Sequence, residues 1–381
     1  MNKLKSVEGI RGLACLMVLL SHLMLMTFPY LQSGIDKDAS FHVEKLLYNL
    51  PIGFIYSGSA AVYIFFTLSG FILTYAITKN DNIQESALKM LSSRYFRLMI
   101  PSGISILICY LMANYYDHSS FYLPWIEGTF WNKGKSFIDA IFNAVFGTML
   151  FGDKSYNVVT WTMQVEFYGS LLIFTTIPLI NTLKRKSLIL AITSLIFVIY
   201  SPASIGTSYA CFFVGSIIFY AQKIQSKIIP FVLIISGLYL AGFRFGSESY
   251  VFIERLKLLE IPYLKIYPYF MSNMLAGALI VYSLTKSDVF KIITDNKFSV
   301  WLGKVSFSAY LIQIPIFYSI SQSIYYILLE NDVNLLAVKF ITIITSLFVV
   351  YSVSEIFYRL IDMSSVKASR RIGNILLNYI R

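Results

Sequence analysis

Charge and sulfur are both scarce in this chain. Asp, Glu, Lys and Arg together make up 13% of its 381 residues, where a soluble domain carries about 25%. Hydrophobic residues reach 57% against the usual figure of about 45–50%, and an ordinary soluble domain is excluded. The three cysteines, Cys15, Cys109 and Cys211, stand singly in apolar stretches at spacings that match no zinc or redox pattern. Such thiols act as small hydrophobes, so neither a disulfide framework nor a metal site is expected. Glycine-rich phosphate loops and a G-x-S-x-G elbow are missing. No glycine- or proline-rich linker divides the chain. What is present is aromatic: 31 Phe and 28 Tyr lie spread between long apolar runs, which argues against disorder. With a mean hydropathy of +0.67, the composition is that of a polytopic membrane protein.

A helix needs about 20 apolar residues to cross a bilayer, and about ten stretches qualify, at 7–28, 58–78, 98–116, 158–180, 187–201, 205–221, 228–243, 266–284, 300–322 and 335–361. The fold expected is therefore all-α, with about ten transmembrane helices. Prolines inside spans, such as Pro101 and Pro315, are tolerated because neighbouring helices satisfy the freed backbone groups. With the N-terminus inside, about 18 of the 31 Lys and Arg fall on the cytoplasmic side, and that bias orients the chain with both termini cytoplasmic. The first apolar run follows a signal-like basic start but lacks a small-residue cleavage site, so it is read as a retained span. One membrane domain, 1–365, followed by a short basic cytoplasmic tail, 366–381, is the simplest division. The net charge of +11 is distributed among loops instead of forming one basic face, so no nucleic-acid partner is expected. The longest outside loop, 117–157, carries His118, Trp125, Trp131, Asp139 and Asp153; loops of that length are usually functional or hold helices of their own.

Ionisable groups within spans are costly, and each is a functional candidate. Arg11 and His22 share the first span. Eleven residues amount to about 1,100°, about 20° past three full turns, with an axial separation of about 16 Å. Both therefore point the same way, Arg11 near the cytoplasmic face and His22 in the outer half. The alternative is that Arg11 snorkels to headgroups while His22 bonds a neighbouring helix. Arg94 and Arg97, at i and i+3 at the mouth of the third span, share a face suited to gripping phosphate; flanking positive charge explains them equally well. Glu166, about 12 Å below the outer end of the fourth span, lies at a depth where it can orient His22 as a general base. A purely structural pairing of Glu166 with Arg11 or a tyrosine hydroxyl is the other reading. Ser69 and Gly70 permit close helix contact.

Taken together these residues resemble the acyltransferase family 3 membrane O-acyltransferases, which modify bacterial surface polysaccharides. The resemblance is carried by Arg11 and His22 with ten residues between them, Phe65-Phe66-x-x-Ser69-Gly70, Arg94-x-x-Arg97, Trp161 with Glu166 and Tyr168, the run from Leu302 through Ser306 and Tyr310, and Tyr358-Arg-Leu-Ile. It implies transfer of an acyl group, commonly acetyl, from acyl-CoA as co-substrate to a hydroxyl of a polysaccharide or glycolipid sugar in the inner membrane. It further implies His22 in catalysis, with Arg11, Arg94 and Arg97 at the donor site; the mechanism expected has His22 oriented by Glu166 or Asp153, with Trp161, Tyr168 and Ser69 binding substrate. The chain departs from the pattern at Gln313, where the family stretch often ends in His, at Phe167 after Glu166, and at Asp362-Met363. Gln313 is accordingly given no part in proton transfer. Two other classes compete: a transporter or flippase for a lipid-linked sugar using Arg11, His22 and Glu166 as a proton relay, and a scaffold in which these residues are incidental. No convincing internal repeat supports the transporter.

Overall fold

A computed structural model describes residues 2–115, 123–129, 136–256 and 267–380; His118 and Trp131 lie outside them. Among the described residues every regular element is helical. The principal helices are α1 (Asn2–Thr27), α2 (Gly58–Thr78), α3 (Ile83–Tyr115), α4 (Trp161–Ile180), α5 (Lys186–Tyr200), α6 (Ala203–Tyr220), α7 (Ile228–Ala241), α8 (Pro268–Lys286), α9 (Lys297–Ile316), α10 (Leu335–Phe357) and α11 (Met363–Ile380). A helix stands at each of the ten expected stretches, and among the described residues 7 are long and apolar enough to cross a membrane. Helices α5 and α7 are apolar but shorter. Helix α8 has 19 residues and buries Ser272, Asn273 and Lys286 along its length.

The third span begins earlier than hydropathy suggests. Asn82 accepts from the backbone N–H of Glu85 at 3.0 Å, and its amide donates to the Glu85 carboxylate at 3.2 Å. This cap sets the helix start at a polar position that an apolar window passes over. Arg94 and Arg97 consequently sit inside α3, about three and four turns from its start. The C-terminal residues are helical: α11 follows α10 through a π-turn at Tyr358–Asp362, buries Ser365 and Ser369, and exposes Lys367, Arg370 and Arg371.

The chain forms two compact units. The first comprises Met1–Ser21, Tyr30–Leu91 and Tyr168–Lys304. Its helices meet through glycine. A Cβ at Gly70 would run into the Phe212 carbonyl, and one at Gly215 into that of Thr67, so α2 and α6 approach at backbone distance. Hydroxyls add to this contact, with Thr74 donating to Ser216 at 2.7 Å. In the same way Gly9 and Gly12 of α1 abut Thr294 and Gly303. Lys286, 4% exposed, donates to the carbonyls of Phe219 and Ala221 at 2.8 and 2.5 Å, capping the end of α6 with a cation where the helix dipole is negative.

The second unit comprises His22–Pro29, Ser92–Phe167 and Val305–Arg381. Between 136 and 157 it holds helices of its own, Phe137–Phe142 running into a π-helix, Asn143–Phe151. Gly152, at φ +69°, ends that π-helix in the left-handed region that favours glycine. Pro315 inside α9 has no N–H to offer Leu311 four residues earlier. The freed Leu311 carbonyl instead accepts from the buried amide of Asn157 at 2.9 Å. Sequence thus fixes the start of the fourth span against a specific turn of α9.

Candidate active site

In the second unit α9 presents Phe307, Tyr310 and Gln313 at intervals of three residues, a stretch about 9 Å long. Each meets a different partner. Phe307 lies under the Arg97 guanidinium, 5.4 Å from the ring centre. The Tyr310 hydroxyl donates to the Val159 carbonyl at 2.9 Å and accepts from Thr162 at 3.0 Å. Gln313, fully buried, lies 2.8 Å from His22 Nδ1 through its Oε1 and donates from Nε2 to the Tyr310 carbonyl at 2.8 Å. Trp125 stacks on the His22 ring, centroids 5.4 Å apart and planes at 17°. The histidine is thereby held at one nitrogen and on one face, an arrangement that suits a ring doing proton transfer with its other nitrogen.

The arginines of α3 each meet a carboxylate. Arg94 pairs with Glu166 at 2.9 Å, the two side chains 18% and 13% exposed. Arg97 pairs with Asp362 at 2.5 Å and donates to Ser365 at 2.9 Å. Glu166 follows Thr162 by one turn of α4, so the Thr162 contact on Tyr310 and the Glu166 contact on Arg94 lie along one helix face. The four charged groups sum to zero, yet each guanidinium has five N–H donors in a planar fork, enough to serve a carboxylate and a further anion together.

Several expected neighbours are therefore differently placed. Glu166 pairs with Arg94, and the Nδ1 bond of His22 goes to Gln313, not to Glu166 or Asp153. Asp153 is exposed and spends its carboxylate on the Ser155 N–H at 2.8 Å, closing its own turn. Trp161 stands 38% exposed at the start of α4. Arg11, Ser69 and Tyr168 belong to the first unit, where Arg11 lies 3.7 Å from Glu8 one turn earlier. Helix α1 runs unbroken from Asn2 to Thr27 and carries both Arg11 and His22.

Gln313 and Asp362, both noted above as departures from a pattern, turn out to be partners of His22 and Arg97. Their signal was polarity inside an apolar run. What sequence does not disclose is the partner, since each pair joins helices far apart in the chain.

A family model described as an acyltransferase domain matches residues 4–355. Over 199 residues the chain is 26% identical to the O-acetyltransferase PaAT-1 of Phomopsis amygdali, covering 44% of this chain and 38% of that relative. The chain thus spans well under half of that relative's length. No solved structure matches.

Proposed function

The chain belongs to the acyltransferase family, and on that premise we propose that it is an integral membrane O-acyltransferase moving an acyl group, acetyl foremost, from acyl-CoA to a hydroxyl of a cell-surface or exported polysaccharide or glycolipid, in the inner membrane. One observation carries the catalytic part of this reading: His22, on an apolar helix, has Nδ1 engaged by a buried amide and one ring face covered by Trp125. The other nitrogen is then available to deprotonate an acceptor hydroxyl, general-base catalysis contributing about 10²–10⁴-fold. Trp125 also offers a π-face to the imidazolium that forms. Arg94 and Arg97 would hold the phosphates of CoA.

The test is mass spectrometry of surface glycans from cells carrying the wild type, His22→Ala or no protein. An acyl mass increment present only with the wild type is the expected result. Equal increments in wild type and His22→Ala would remove His22 from catalysis. Absence of any increment, with folded protein and acceptor glycan both demonstrated, would favour transport of an envelope precursor instead.

A further inference from the structure

We propose that Gln313 is a positioning residue that selects the Nδ1–H tautomer of His22 and so makes Nε2 the nitrogen that accepts the proton; the proposal rests on the reading of His22 as the base. The argument turns on which end of the Gln313 amide faces which neighbour. The Tyr310 carbonyl only accepts hydrogen bonds, so the amide NH₂ must face it, as it does at 2.8 Å. Turning the amide over would set the Gln313 oxygen against the Tyr310 carbonyl oxygen in a fully buried site, a repulsive contact that leaves the amide oxygen without a donor. The Oε1 end is therefore fixed toward His22 Nδ1 at 2.8 Å. An amide oxygen only accepts, hence Nδ1 carries the proton, and a neutral imidazole with Nδ1–H has its lone pair on Nε2. Tyr310 is itself anchored at Val159 and Thr162, which keeps its carbonyl aimed. Trp125, stacked on the ring, opposes the ring rotation that would put Cδ2 where Nδ1 faces Gln313.

A carboxylate in this place would balance the charge of an imidazolium; a glutamine cannot, and it cannot take the proton either. The reaction must therefore close on His22 itself. The acceptor O–H proton passes to Nε2 as the oxygen bonds to the thioester carbonyl carbon. The C–S bond then breaks, and the departing CoA thiolate takes the proton back from Nε2. His22 ends neutral in its starting tautomer, with no proton passed beyond Gln313.

The direct test is ¹⁵N NMR of the full chain in lipid nanodiscs, labelled at histidine, with His42→Gln and His118→Gln removing the other two histidines of the three. Protonated and unprotonated ring nitrogens resonate in separate ranges. Expected are a protonated Nδ1 and an unprotonated Nε2 with Gln313 in place, a shift toward Nε2–H in Gln313→Leu, and retention of Nδ1–H in Gln313→Glu, whose carboxyl in its protonated form donates to the Tyr310 carbonyl and accepts from Nδ1. In turnover with acetyl-CoA and the acceptor glycan, Gln313→Leu should lose about 10²-fold in kcat, within the range that general-base catalysis supplies, with KM for acetyl-CoA unchanged. Gln313→Glu should recover most of that loss. An Nε2–H ring with Gln313 in place overturns the proposal, and needs no Gln313 variant to fold. So does Gln313→Leu at wild-type kcat while His22→Ala is inactive. If His22→Ala turns over normally, the proposed function fails instead, and with it the catalytic consequence of the tautomer.

Discussion

Replacing Arg97 by Met separates a structural ion pair from a donor-binding residue. Methionine keeps much of the apolar stem over Phe307 but removes the charge that faces Asp362 at 2.5 Å. Asp362 is 4% exposed, so it would be left as a buried charge without its cation. Breaking a buried pair on one side costs about 3–5 kcal/mol. The Arg97 side chain keeps 27% exposure, so water reaches the pair from that side and the lower end, about 3 kcal/mol, is the expected cost. Removing both charges, Arg97→Met with Asp362→Leu, should restore most of it, giving a coupling of about 2 kcal/mol between the two sites. Thermal unfolding of the purified protein, followed by tryptophan fluorescence, would show a fall of several degrees for the single variant and recovery in the double. Activity should part from stability. If Arg97 also grips a CoA phosphate, the double variant regains its melting temperature while KM for acetyl-CoA stays raised by about 10–100-fold, the equivalent of one charge-assisted hydrogen bond. A single variant that melts like the wild type refutes the buried-pair argument, and a double variant with normal KM removes Arg97 from the donor site.

Other outcomes follow from the same contacts. Gly215→Ala should lower the yield of monodisperse protein in size-exclusion chromatography, because its Cβ would meet the Thr67 backbone; overpacking of this kind costs about 1–3 kcal/mol. Lys286→Met should destabilise the first unit by about 1–3 kcal/mol, since it strands the Phe219 and Ala221 carbonyls, and a melt read in detergent checks it. Tyr48 lies outside the spans; burial raises its phenol above the ordinary 10.0 while its hydroxyl donates to Phe245 at 2.6 Å. A raised folded value means stability is fully present below the unfolded value and lost as pH rises through the folded one. Melts taken above pH about 10 should therefore fall less steeply in Tyr48→Phe than in the wild type.

The helices were legible where apolar length alone decides them. The expected bounds 58–78 and 158–180 coincide with two of the spans because each apolar run is bordered by a sharp change in polarity. The start of α3 was not legible in the same way, since Asn82 and Glu85 act by a local hydrogen-bonded cap that hydropathy averages away. At the site, the residue types were readable and the pairings were not. Arg94 and Arg97 stood out as charges, but their carboxylates come from α4 and from the turn after α10, and nothing local in sequence reports which helices pack together. Asp153 drew attention because a loop carboxylate near a histidine is a familiar orienting device, whereas its geometry closes a turn. Gln313 drew little because a neutral amide carries no charge to mark it. Its importance lies in direction, which only a neighbouring carbonyl can impose.

The two candidate partners of His22 make opposite predictions for Glu166→Gln. If Glu166 oriented the histidine, the substitution would remove a charged acceptor from the ring, and kcat would fall with the tautomer disturbed. The contacts point elsewhere. Glu166 lies 2.9 Å from Arg94 and both are largely buried, so Glu166→Gln unbalances a guanidinium in α3 while leaving Gln313 and Tyr310 in place around the ring. The expected result is a loss of stability, held to the lower end of about 3–5 kcal/mol because a glutamine oxygen still accepts from Arg94. An Arg94 without its counter-charge attracts an anion more strongly, so KM for acetyl-CoA should fall or hold while kcat stays within about tenfold of wild type, less than the 10²–10⁴ that loss of a general base produces. The histidine ¹⁵N spectrum should be unchanged. A kcat loss beyond about 10²-fold, accompanied by a change at the His22 nitrogens, would return the orienting role to Glu166 and take it from Gln313.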